Sequence, residues 1–183
     1  PNEFEKGLTK LYSQDKFQET IGDELSESFD LESYAKTITP SEDLLQGNND
    51  APIIKLINGI LSQAIKAKAS DIHFEPFEDT FIVRLRIDGV MRELISQDSR
   101  LSPPIVSRLK IMSKLDIAER RKPQDGRVSL SLGPQSIDVR VSTLPSSYGE
   151  RVVLRLLDKD SAEIDLNYLG FSDYVNSKYL SLI

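Results

Sequence analysis

The segment Phe81-Ile82-Val83-Arg84-Leu85-Arg86-Ile87-Asp88-Gly89-Val90 decides the fold. Phe81, Val83, Leu85 and Ile87 fall on one side of an extended chain, and Arg84 and Arg86 fall on the other. That period of two marks a half-buried strand. Asp88-Gly89 supplies a tight hairpin turn, which makes residues 90–95 the return strand. The same alternation recurs downstream. In residues 136–143, Ile137, Val139 and Val141 face inward and leave Asp138 and Arg140 opposite. In residues 150–157, Val152, Leu154 and Leu156 face the core and leave Arg151 and Arg155 outside. The product is a sheet with one oily face and one guanidinium-bearing face.

Residues 71–75 alternate enough for a further strand, and residues 128–132 for another, turned into its neighbour by Gly133-Pro134. Upstream, Asp50 as a cap and Pro52 in the first turn predict a helix running to about Ala69. Its buried stripe is Ile53, Ile57, Ile60, Leu61, Ala64 and Ile65. Ser102-Pro103 opens a second helix with Ile105, Leu109, Met112 and Leu115 on its inner side. Arg120-Arg121-Lys122-Pro123-Gln124-Asp125-Gly126-Arg127 reads as a basic turn, because Pro123 disfavours helical geometry at Lys122. The expected fold class is α+β: a mostly antiparallel sheet of about five or six strands with two main helices on its apolar face, preceded by an acidic, partly helical arm.

The arm is visible in the charge. Residues 1–50 hold 12 acidic residues against 4 basic ones, whereas residues 84–155 hold 14 basic against 8 acidic. This is either a pair of units with different partners or an acidic linker on an ordinary domain. Phe4, Leu8, Leu11 and Tyr12 predict a short amphipathic helix over residues 2–13. Phe17, Ile21, Leu25, Phe29 and Leu31 could dock a second helix but cannot enclose a core alone. Thr39-Pro40-Ser41-Glu42-Asp43 and Gln46-Gly47-Asn48-Asn49-Asp50 read as a linker, which sets a domain boundary near residue 50. The chain has no cysteine and a single histidine, so disulfides, thiolate metal sites and a histidine zinc site are not expected. No apolar run approaches the ~18 residues that cross a bilayer, and no signal segment is recognisable. A soluble intracellular protein is expected.

Arg84, Arg86, Arg140, Arg151 and Arg155 all fall on the polar face. Guanidinium groups are always charged and present planar donors suited to phosphate or carboxylate. They can serve nucleotide phosphate, a nucleic-acid backbone or an acidic protein surface, or they can pair across strands with Asp71, Glu75, Asp138 and Glu150. Nucleic acid is the weakest of these, since the chain is acidic overall, lacks Trp and has no aromatics interleaved with the arginines. Asp71 and His73 lie two apart on a strand and imitate an acid/base pair, yet nothing identifies a nucleophile. The sequence contains no Gly-x-x-x-x-Gly-Lys-Ser/Thr and no Gly-Lys at all, so no residue here is a catalytic candidate for nucleotide hydrolysis by that route.

Taken in order, Ala69-Ser70-Asp71-Ile72-His73-Phe74-Glu75-Pro76, Arg84-Leu85-Arg86-Ile87-Asp88-Gly89-Val90, Pro123-Gln124-Asp125-Gly126-Arg127, Arg140-Val141-Ser142-Thr143-Leu144-Pro145 and Gly149-Glu150-Arg151-Val152-Val153-Leu154-Arg155-Leu156-Leu157-Asp158-Lys159 resemble the second N-terminal domain of the secretion ATPases. These are the hexameric motors of bacterial type II secretion and type IV pilus assembly. The resemblance covers about residues 50–160 and includes a joining helix at Lys114-Leu115-Asp116-Ile117-Ala118-Glu119. The last motif is most similar to the type II secretion E branch (general secretory pathway protein E), with pilus-extension motors as the alternative.

The resemblance implies that this domain packs against a following C-terminal P-loop ATPase domain, and that Arg140 and Arg155 reach the nucleotide phosphates across that interface. Arg86 and Arg151 are secondary candidates, because either could pair with a neighbouring acid or an adjoining subunit. It implies ATP and Mg2+ for the full-length protein and none for this segment, which should be inactive by itself, and no metal ligands here. It also implies a homo-hexamer, cytoplasmic and peripheral at the inner membrane through the L protein of the type II system, with the inner-membrane F protein as a further partner. Residues 1–49 would then close a first N-terminal domain and connect it to the second, residues 50–160 would be the second, and residues 161–183 would be the linker and first helical element of the motor domain. A protein-docking scaffold without nucleotide contact is the competing reading of the arginine face.

Overall fold

The computed structural model describes residues 30–38, 51–132, 135–158 and 170–182. Helix α1 (Leu31–Thr37) precedes helix α2 (Ala51–Lys66), which leads into strands β1 (Asp71–Pro76), β2 (Thr80–Ile87) and β3 (Val90–Asp98). A 3-10 turn (Ser99–Leu101) feeds helix α3 (Ser102–Met112), followed by β4 (Gln124–Leu132), β5 (Gln135–Ser146), β6 (Gly149–Asp158) and helix α4 (Asp173–Leu180). The six strands form one sheet in the order β3-β2-β1-β6-β5-β4, with every neighbouring pair antiparallel. Two three-stranded meanders are thus joined edge to edge through β1 and β6, and α3 carries the chain from the first to the second.

The alternation read from the sequence accounts for the layers. Ile72, Phe74, Phe81, Val83, Leu85, Val139, Val141, Val152 and Leu154 are buried on one face and share a single core with Ile53, Leu56, Ile57, Ile60 and Leu61 of α2 and Ile105, Val106 and Leu109 of α3. Helix α1 adds Leu31 and Ala35 to the same core and lies against α2 and β3. Asp30 caps it by accepting the Ser33 backbone N–H at 3.1 Å. The Asp88-Gly89 turn has φ of 51° and 80° at its two residues. Both positive values are what a two-residue hairpin of the type I′ kind requires.

Both main helices end differently from the sequence expectation, and for one reason. Helix α2 stops at Lys66, short of Ala69, because Lys68 turns into the left-handed region (φ 52°) and Ala69 N–H bonds back to the Ala64 carbonyl at 2.9 Å. Helix α3 repeats the device: Lys114 has φ 58° and Leu115 N–H reaches the Lys110 carbonyl at 2.9 Å. Each is a Schellman ending with an apolar residue folded back towards the core just beyond it. Leu115 therefore joins the core from outside the helix. The joining helix expected at residues 114–119 does not form. Its backbone is held instead by side chains: Asp116 Oδ1 accepts Ala118 N–H at 2.8 Å, and the Gln124 amide bonds Asp116 and Glu119. Asp in such a position offers the backbone an alternative to helix.

The expected basic turn is also shorter than read, since β4 begins at Gln124 and takes in Asp125, Gly126 and Arg127. Gly126 is required there, because a Cβ would lie 2.8 Å from the Ser113 carbonyl oxygen. Helix α4, capped by Ser172, agrees with the helix expected from residue 172 onward. The helix expected over residues 2–13, the Asp50 cap and the linker over residues 39–50 lie outside the described residues.

Glu150, considered as a partner for the polar-face arginines, sits on the core side. There it forms a buried ion pair with Lys110 of α3, whose Nζ also donates to the Glu119 carbonyl at 2.8 Å. Lys110 is 1% exposed, so its charge has no solvent to fall back on. Removing one partner of such a pair costs about 3–5 kcal/mol, whereas replacing both with apolar groups of similar volume is often neutral. Glu150→Ala should therefore lower unfolding stability by roughly that amount in a urea titration, and Lys110→Met/Glu150→Leu should recover most of it.

Candidate functional site

The cross-strand register aligns one row of charges over the polar face. Arg86 of β2, Asp71 of β1, Arg155 of β6, Arg140 of β5 and Arg127 of β4 are successive partners. One carboxylate thus stands among four guanidinium groups. Like charges directly opposite on neighbouring strands destabilise a sheet, and this row contains two such contacts, Arg155 with Arg140 and Arg140 with Arg127.

Asp71 relieves only one end. Its side chain is 8% exposed; Oδ1 accepts Arg155 Nε–H at 3.0 Å, and Oδ2 accepts the Ser70 hydroxyl at 2.8 Å and pairs with Arg86 Nε at 3.4 Å. Burial opposes its charge, but the Ser70 hydroxyl, Arg155 and Arg86 together hold the carboxyl below its ordinary value of 3.8. Arg86 also donates to the Gly89 carbonyl at 3.1 Å. Arg155 spends only its Nε–H and leaves its fork exposed. Arg140 and Arg127 are exposed as well, and neither has an ion pair or side-chain hydrogen bond among the described residues. A shallow cavity of about 180 Å³ opens at the row's centre, lined by Arg140, Arg155, Val153, Ser142 and Asp125, with Ser142 Oγ–H donating to Asp125 Oδ1 at 2.6 Å.

The sequence-predicted residues therefore separate. Arg140 and Arg155 meet at the cavity. Arg86 belongs to the row but is occupied by Asp71 and Gly89. Arg151 lies apart, half-buried, with its guanidinium 6.0 Å from the centre of the Phe77 ring. Arg84 is bound to Glu75, its Nε 2.7 Å from Oε2. Cross-strand pairing thus accounts for Arg84 and Arg86 and leaves Arg140 unexplained. Arg127 is the residue missed. Asp125, Arg127 and Ser129 alternate with Gly126, Val128 and Leu130, a strand signal masked by the preceding Arg-Arg-Lys-Pro run.

His73 shares this face with Asp71, opposite Arg84 on β2 and Val153 on β6, but the Asp71 carboxylate is taken by Ser70 and the arginines, so the two make no acid/base pair. A larger depression of about 360 Å³ lies elsewhere, between the start of α3 and the β5–β6 hairpin, and includes no member of the row.

Residues 46–183 match the family described as type II/IV secretion system protein. The chain belongs to that family. It is 50% identical to the type II secretion system protein E of Dickeya dadantii over 188 residues, covering 100% of this chain and 37% of the relative. It is 50% identical to the type II secretion system ATPase E of Vibrio cholerae, covering 99% of this chain and 36% of that one. The chain thus spans a little over a third of the length of these relatives. Among solved structures, the Legionella pneumophila ATPase DotB aligns with 66% of this chain and 33% of its own, at a TM-score of 0.44 and 14% identity. Among the described residues, no helix of this secretion-family chain is long and apolar enough to cross a membrane, and no three His, Cys, Asp or Glu residues cluster as metal ligands.

Two titrations on this face have opposite charge types and the same sign. Burial, with Arg86 and Arg84, holds His73 below its ordinary value of 6.5 against the pull of Glu75 and Asp71. Between the folded value and 6.5 the unfolded chain binds the extra proton, so stability falls as pH drops through that window. The contribution of Asp71 is present above 3.8 and is lost as pH falls through its lower folded value. His73→Gln should flatten the first decline and leave the second, as read from urea midpoints from neutral pH to below 3.8.

Proposed function

We propose that this region is the nucleotide-sensing and coupling part of a secretion ATPase, in which Arg140 and Arg155 contact phosphate oxygens of a nucleotide held by a separate P-loop domain. The observation that carries this reading is the pair of directly opposed arginines at a cavity open to solvent, Arg155 held by Asp71 through Nε alone and Arg140 with no ion pair among the described residues. Two adjacent forks with free donors fit a polyanion, and binding one would turn their mutual repulsion into shared attraction. ATP with Mg2+ is the substrate of the whole protein. An arginine reaching in from another domain stabilises charge developing on the transferred phosphoryl group and senses whether the γ-phosphate is present. Rotation of one domain against the other then follows nucleotide state.

In this reading residues 50–160 form the second N-terminal domain, and residues 161–183 lead into the motor domain. Residues 1–49 connect to a preceding domain that docks on the inner-membrane L protein of the type II system. The whole protein works as a cytoplasmic hexamer, peripheral at the inner membrane and in contact with the F protein, driving pseudopilus assembly and export. The relatives named as type II secretion E proteins support this over the pilus-extension alternative.

Arg140→Ala and Arg155→Ala should each leave the domain folded and lower ATP turnover of the assembled full-length protein by roughly a hundredfold. Unchanged turnover in the double variant would remove the phosphate contact and leave the face to an acidic protein partner.

A further inference from the structure

We propose that Asp71 is a positioning residue, which aims the Arg155 fork at the anion site it shares with Arg140. The inference rests on the phosphate-contact reading and extends it to a residue that touches no nucleotide. Arg155 approaches the carboxylate with Nε alone, at 3.0 Å. Anchoring a planar guanidinium at that nitrogen sets the direction of the plane and leaves the two terminal nitrogens pointing onward. Arg155 is 62% exposed at its side chain, so packing contributes little to holding it; the carboxylate does.

The carboxylate is itself fixed. Ser70 and Arg86 both occupy Oδ2 while Arg155 takes Oδ1, so each oxygen has an assigned partner and rotation would break one of them. At only 8% exposure, it leaves water little room to compete. Arg140, directly opposite Arg155 on the side away from Asp71, repels it towards the carboxylate. Without Asp71 the repelled, exposed Arg155 side chain would have no anchor to stop it turning out into solvent. With Asp71, part of that charge is balanced from behind, and both forks can meet one ligand.

A rival role has the opposite sign. If Asp71 competed with phosphate for Arg155, its loss would raise nucleotide affinity and turnover. A purely structural role would lower stability and activity independently of Arg155. The test is a double-mutant cycle in the full-length protein, reading kcat and KM of ATP hydrolysis together with thermal unfolding. Asp71→Asn is expected to lower kcat roughly ten- to a hundredfold, the scale on which small misplacements act. In the Arg155→Ala background the same change should alter kcat less than about twofold, since the group it positions is gone.

An equal loss in both backgrounds, or a gain in the Asp71→Asn variant, would overturn the proposal. Should Asp71→Asn not fold, Ser70→Ala loosens the carboxylate while keeping its charge. Its smaller loss of kcat should likewise disappear in Arg155→Ala, and persistence there would count against positioning. Failure of the underlying reading has a separate signature: Arg155→Ala alone would turn over ATP at the normal rate.

Discussion

The polar face is organised by one carboxylate that its surroundings oversubscribe. Asp71 lies on a central strand, with Arg86 on one side and Arg155 on the other. Because side chains alternate with a period of two, slipping β1 by a single residue would send Asp71 into the core and Ile72 out to the arginines. The burial of Ile72 and Phe74 therefore fixes the charge row as firmly as it fixes the hydrophobic layer. Compensation ends at Arg155, and beyond it Arg140 and Arg127 continue the row with no acid opposite them.

Strand β6 connects the two faces of the sheet. Its even-numbered residues Glu150, Val152 and Leu154 belong to the core, with Glu150 clamped to Lys110 of α3. Its odd-numbered residues carry Arg151 and Arg155 outward. Lys110 also holds the Glu119 carbonyl, so the segment leading into β4 is tied to the same point. The core ion pair and the outer arginines are thus placed by one strand, and a disturbance of the clamp would reach the cavity beside Arg155 through backbone register rather than through any shared side chain.

Much of this was legible in the residues. Alternation located the strands carrying Phe81, Val139 and Val152, Asp88-Gly89 located a hairpin turn, and Ser102-Pro103 opened α3 where it begins. The two early helix ends share a cause. Left-handed Lys68 and Lys114 ended helices at residues with ordinary helix preference, because the bonds back to the Ala64 and Lys110 carbonyls outweigh the strain of a non-glycine residue there. Glu150 shares the parity of Val152 and Leu154, which places it on the core side, but nothing local signals the buried Lys110 forty positions away that makes a carboxylate tolerable there. Arg127 was hidden by a basic run that resembles a turn.

The sequence alone determined which residues face the same way, since parity along a strand is a local property of the backbone. It therefore separated an arginine face from an apolar one and named Arg140 and Arg155 as members of the former. It could not decide which arginines are satisfied. That depends on which strands become neighbours and in what register, and only the tertiary structure set Asp71 against Arg155 across more than eighty residues of chain. Pairing spends Arg84 on Glu75 and Arg86 on Asp71, and leaves Arg140 beside two like charges. The unbalanced charge around Arg140 belongs to the assembled sheet, because non-local contacts between strands created it.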